Sequence, residues 1–163
     1  MKYGLLFFIL TGLFGCFSRE PEKTKQQGNR MPAFKLLLSD SITMFDSENI
    51  PNDQAAVLFV FSPTCPYCRA QTEEIISDMS DLKDIHFYMI TTGSFAYMKH
   101  YIQHYSLQKY PNITVGFDEK NFVGDYFETA KVPYIAFYNK NKKLNKAFIG
   151  KLYTSEILKA AKE

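Results

Sequence analysis

Residues 55–69 read Ala55-Ala56-Val57-Leu58-Phe59-Val60-Phe61-Ser62-Pro63-Thr64-Cys65-Pro66-Tyr67-Cys68-Arg69, and the fold turns on them. Ala55 to Phe61 is an unbroken apolar run of strand length. A run that is continuous rather than alternating suits a central strand covered on both faces. Ser62-Pro63-Thr64 interrupts it as a loop. Pro66 then suits the first turn of a helix, where its missing N–H would have had no partner anyway. The helix is expected to reach about Met79, with Ala70, Ile75, Ile76 and Met79 turned inward. Two thiols, Cys65 and Cys68, thus stand at a strand–loop–helix junction.

Outward from this junction the chain alternates between strand and helix signals. Ala33 to Leu38 reads as a first strand with a short partner near Ile42 to Phe45, followed by a polar turn from Asn49 to Gln54. Ile85 to Thr91 is a second apolar strand, and Ser94 can cap a helix through about Leu107. Asn112 to Phe117 reads as a strand and Asn121 to Phe127 as a short helix. Tyr134 to Tyr138 follows Val132-Pro133 as a strand, and Leu144 to Ile149 returns beside it after a polar turn. Thr154 or Ser155 opens a last helix to Ala161. This order predicts an α/β domain with a mixed central β-sheet flanked by α-helices. The length of 163 residues suits one domain with small extras, and 46% hydrophobic residues can fill a single core. A net charge of +2 with no Lys/Arg block leaves no footprint for nucleic acid.

The start of the chain is a different kind of segment. Lys2 precedes an apolar stretch, Leu5 to Leu10 with Leu13 and Phe14, laid out like an export signal and too short for a comfortable membrane span. Leu13-Phe14-Gly15-Cys16 resembles a bacterial lipoprotein processing box. The resemblance implies that residues 1–15 are removed and that Cys16 is lipidated as the first mature residue. It further implies an exported protein held at the cell-envelope membrane, periplasm-facing, with the lipid bilayer as a partner through Cys16. Phe17 to Met31 is polar and reads as a flexible tether, so the expected divisions are 1–15, 16–31 and a folded domain over 32–163. The chain has an odd count of 3 cysteines; assigning Cys16 to lipid leaves Cys65 and Cys68 as one pair.

A thiolate is the attacking species in disulfide exchange. The start of a helix offers unpaired N–H groups and the positive end of the helix dipole. Cys65, at that start, is therefore the expected nucleophile. Cys68, nearly one turn on, is the expected resolving thiol. Pro66 stiffens the intervening turn, Tyr67 adds no charge, and Arg69 reads as a solvated cation, with stabilisation of negative charge at the dithiol as its other use. Two other uses of the pair stay open. A zinc site would need four ligands, and no second cysteine pair exists. A static bridge over so short a loop would gain little chain entropy. His100 and His104 share a helix face but lack further ligands, and Tyr97, Tyr101 and Tyr105 form a stripe expected to pack on the sheet, with partner docking as its other use. Lys140, Lys142 and Lys143 read as a solvated hairpin tip.

The apolar strand, Ser62 to Arg69, and Val132-Pro133 before a later strand together resemble the thioredoxin superfamily, over about residues 32–163. With the export signal, the Pro32-Ala33-Phe34 opening and the Asp118 to Phe127 segment, they are similar to its membrane-anchored TlpA/ResA-like branch of thiol–disulfide oxidoreductases. The resemblance implies a thioredoxin-like fold, a cis Pro133, and a substrate backbone held by Val132 beside Cys65, with Pro66 and Tyr67 also facing substrate. It implies protein thiols and disulfides as substrates, a membrane-embedded redox donor as partner, and no cofactor. A thioredoxin-like binding module that docks an envelope partner without turnover is the alternative. The chain departs from the family where Thr64 replaces a tryptophan, Phe59 replaces a buried acid, and Gln71 replaces a glutamate found in some members. The resemblance therefore supplies no proton acceptor for the resolving thiol. Cys-Pro-Tyr-Cys is also the glutaredoxin dipeptide, but no Gly-Gly follows the Val132-Pro133 strand; Leu58 stands where a peroxiredoxin needs proline.

Overall fold

The strands expected around the dithiol form one mixed sheet in a computed structural model, which describes residues 19–162. Cys16 and the apolar segment before it lie outside these residues. The strands are β1 (Lys35–Leu37), β2 (Met44–Asp46), β3 (Ala56–Val60), β4 (His86–Thr91), β5 (Ile113–Phe117), β6 (Tyr134–Tyr138) and β7 (Leu144–Ile149). Their order across the sheet is β2-β1-β5-β4-β3-β6-β7. β3, β4 and β5 run parallel; β6 runs antiparallel to β3, β7 to β6, and β1 to both β2 and β5. The helices are α1 (Pro66–Ser77), α2 (Met79–Leu82), α3 (Phe95–His104), α4 (Phe122–Tyr126) and α5 (Thr154–Lys162).

β3 is buried along its whole length, as its continuous apolar run requires. Successive side chains point to opposite faces of a strand. Val57, Phe59 and Phe61 accordingly join the core under α1, α3 and α5, where Ile75, Met98, Tyr101, Ile157 and Ala160 meet them. Ala56, Leu58 and Val60 join the other core with Phe34, Ile50, Val123 and Phe127. α4 on that second face is held by Asp118, whose carboxylate accepts from the N–H groups of Phe122 at 3.0 Å and Val123 at 2.8 Å.

Three expectations need correction. The first helix stops at Ser77, because Asp78 leaves helical geometry (φ −107°, ψ 25°) and its carboxylate accepts from the Thr154 hydroxyl at 2.6 Å. Lys142 is not part of a solvated tip: it is buried, and its ammonium donates to the Gln54 carbonyl at 2.9 Å. The polar stretch read as a tether lies against β7 over its described part. Glu22 N–H donates to the Ala147 carbonyl, Gly28 N–H to the Leu144 carbonyl, and Leu144 N–H to the Asn29 carbonyl. Its composition shows little apolar surface, and backbone pairing supplies the attachment instead.

Gly116 in β5 lets β1 approach. A Cβ there would lie 2.5 Å from the Cβ of the fully buried Leu36. Neither atom can swing away, so the strand pair would have to separate. Gly116→Ala is expected to lower stability by about 1–3 kcal/mol, read as a fall in the urea midpoint at unchanged slope.

Candidate active site

The register of β3 against β6 sets Val60 opposite Tyr134. The chain leaving β3 and the chain entering β6 therefore meet at one edge of the sheet. Phe61 N–H donates to the Ile90 carbonyl at 2.8 Å and carries the strand one residue further. Ser62 then accepts the Cys65 N–H at 3.1 Å, and Cys65 accepts the Arg69 N–H at 3.1 Å, which turns the chain directly into α1. Cys65 is the N-cap residue, with Pro66 as the first residue of the helix; its sulfur makes no capping hydrogen bond.

The two sulfurs differ in setting. Cys65 is half-buried and Cys68 is 0% exposed, and both are free thiols. The Cys65 thiol lies 3.8 Å from the Val132 carbonyl, to which it donates, and the Val132–Pro133 peptide bond is cis. The structure thus gathers Cys65, Cys68, Val132 and Pro133 in one place. Pro66 is exposed and Tyr67 is 67% exposed at the rim. Cys16 lies outside the described residues.

Burial pushes the Cys68 thiol well above the usual thiol range. A backbone hydrogen bond from Ser62 works against this, and the hydrogen bond between Cys68 and Cys65 adds to it. The Cys68 proton is therefore firmly held in the free thiol. No carboxylate is among the groups acting on it.

Several neighbours of the dithiol were not evident from the sequence. The Tyr101 hydroxyl donates to the Cys68 carbonyl at 3.2 Å and shares a hydrogen bond with Thr72 at 2.8 Å. Tyr101 belonged to the recognised stripe, but only it is fully enclosed; Tyr105 is half-buried and Tyr97 is 57% exposed. A spacing of four drifts around a helix of 3.6 residues per turn, which separates the three. Gln71, also 0% exposed, accepts the Leu152 N–H at 2.6 Å through Oε1, while its Nε2 has no partner among the described residues. Glu74 meets Lys151 at 2.7 Å and the Thr154 N–H at 3.1 Å, and Lys151 holds its carboxyl below the usual range. Gln71 and Glu74 tie α1 to the segment entering α5. His100 and His104 are exposed, and no three His, Cys, Asp or Glu side chains gather as a metal site among the described residues.

Two outcomes follow from these contacts. Gln71→Met keeps the volume but leaves the Leu152 N–H without an acceptor; since it also removes the unpartnered Nε2, the loss should be about 1–2 kcal/mol of unfolding free energy. The raised Cys68 pKa also sets a pH dependence for the reduced protein. Above about pH 8.5 the unfolded thiol ionises while the folded one keeps its proton. The unfolded state then binds fewer protons, so stability falls with rising pH, by at most about 1.4 kcal/mol per pH unit from this group. Below that range the contribution is constant. Urea unfolding under reductant between about pH 8 and 10 should show the slope, and Cys68→Ala should remove this part of it.

The Redoxin family profile matches residues 26–161. No curated protein matches the sequence. Among solved structures, the exposed lipoprotein thioredoxin Etrx1 of Streptococcus pneumoniae superposes with a TM-score of 0.65 at 19% identity, covering 80% of this chain and 98% of that one. A secreted Mycobacterium tuberculosis disulfide oxidoreductase homologous to E. coli DsbE gives a TM-score of 0.66 at 18% identity, over 79% of this chain and 94% of that one. StoA from Bacillus subtilis gives 0.61 at 14% identity, over 81% and 97%. At such identities the likeness speaks for the fold, which is thioredoxin-like. With most of its length matched, this chain belongs to the Redoxin family.

Proposed function

We propose that this protein is an extracytoplasmic thiol–disulfide oxidoreductase that exchanges disulfides with protein substrates through Cys65 and Cys68. The observation that carries the reading is the pairing of a half-buried Cys65 with a fully buried Cys68 beside the cis Val132–Pro133 bond. In the reducing direction the Cys65 thiolate attacks one sulfur of a substrate cystine. The substrate S–S bond breaks, a Cys65–substrate mixed disulfide forms, and the released substrate thiolate takes a proton. Cys68 then gives up its proton and attacks the Cys65 sulfur. The Cys65–Cys68 disulfide closes and the second substrate thiol leaves, so two electrons have passed to the substrate. Each step is reversible, and run backwards the same pair donates its disulfide. Val132 presents the substrate backbone, and the exposed Pro66 and Tyr67 form the contact rim.

The setting of this chemistry is part of the proposal. Cys16 carries lipid, residues 1–15 are removed, and the domain faces the periplasm at a membrane, where an integral redox protein exchanges electrons with it. The Leu13-Phe14-Gly15-Cys16 sequence supports this, as does the description of the S. pneumoniae structure as an exposed lipoprotein. No helix among the described residues is long and apolar enough to cross a membrane.

The full-length chain should catalyse reduction of insulin or of a cystine peptide in the presence of a small thiol, and Cys65→Ser should abolish that turnover. Equal rates for the two would leave only the reading of a docking module with an idle dithiol.

A further inference from the structure

One turn beyond Cys65, Arg69 stands exposed on α1, and its Nε donates to the Pro63 carbonyl at 3.0 Å. The bond anchors the guanidinium to the loop that carries the nucleophile. Its two terminal nitrogens have no hydrogen-bond acceptor or ion-pair partner among the described residues. Arg69 lines a groove of about 420 Å³ between the start of α1 and α3, with Pro63, Thr64, Tyr97, His100, His104 and Tyr105 among the other lining residues. No acidic side chain lines it. Glu73 lies nearby, and its carboxylate accepts from the Tyr105 hydroxyl at 3.1 Å. The groove therefore combines a fixed, unpaired cation with ring faces and two imidazoles, and it begins at Thr64, the residue before Cys65. Val132 does not line it, so a substrate strand at Val132 leaves it open.

We propose that this groove receives an acidic side chain of the protein substrate, placed two or three residues from the half-cystine that Cys65 attacks, with Arg69 taking the carboxylate. The inference rests on the exchange reactions described above and names the substrates they favour. Arg69 follows Cys65 by four residues, about 6 Å of helix rise, and an extended substrate advances about 3.3 Å per residue. The planar guanidinium suits a carboxylate, which it can hold through two parallel N–H bonds. In a polypeptide substrate the side chains that carry that group are aspartate and glutamate.

The test uses the reduced full-length chain and three cystine peptides that differ at one position, two residues from the half-cystine, as Glu, Gln or Lys. The Glu peptide should react about three- to tenfold faster than the Gln peptide, with Lys slowest, as expected for a partly exposed charge contact. The Glu advantage should shrink in about 0.5 M salt. Arg69→Gln should bring the Glu-to-Gln ratio close to one. Equal Glu and Gln rates in the unsubstituted chain, or a ratio unchanged by Arg69→Gln, would overturn the inference while leaving disulfide exchange intact. Should no peptide react, exchange itself fails, and the groove is then judged by binding of the same peptides with serine in place of cysteine. Tighter binding of the Glu form, lost in Arg69→Gln, upholds the groove; indifferent binding overturns it.

Discussion

The antiparallel pairing of β3 with β6 positions everything that bears on chemistry. Because the two strands run in opposite directions, the end of one and the beginning of the other share an edge, with Val60 facing Tyr134. From there one strand releases the chain toward Cys65, and the other receives it from Val132-Pro133. A slip of a single residue would send each strand's side chains to the wrong face. Both strands are buried at every position, so such a slip would misplace whole rows of large side chains. Each fully buried one is worth about 1.5–3 kcal/mol. Two-sided burial is thus what keeps the dithiol and the proline loop in contact.

A second consequence concerns the difference between two chemically identical groups. Cys65 precedes the helix and stays near the surface. Cys68 falls on the helix face that also carries Gln71, Thr72 and Ile75, all enclosed. A protein partner can reach only the first sulfur, whatever the intrinsic reactivity of the second. The tether of Tyr101 to the Cys68 carbonyl and the anchoring of α1 near α5 through Gln71 and Glu74 hold that face inward.

How much of this could be read from the sequence follows the range of the interactions. The apolar run before Ser62 revealed a central strand because its neighbours in sequence carry the signal. Pro66 marked the helix start for the same local reason, and Ser94 caps α3 as its position indicated, accepting the Tyr97 N–H at 3.4 Å. What stayed hidden depends on contacts between residues far apart in the chain. Gln71 gives no hint of Leu152, nor Glu74 of Lys151. Lys142 looks like any lysine in a polar turn until Gln54 is brought beside it. The break at Asp78 is equally silent, since Thr154 supplies the partner. Two functional expectations, lipid on Cys16 and a membrane redox partner, rest on residues and proteins beyond the folded domain.

The outermost strand of an open sheet exposes a row of unsatisfied amides and carbonyls, an invitation to pair with any extended chain. Here β7 would be that strand, and the stretch from Glu22 to Met31 occupies its free side. On the far side β2 spans only three residues. An extended chain could otherwise add along either flank of such a sheet. The chain's own backbone occupies the β7 flank, and at β2 only a three-residue row is left to a would-be partner.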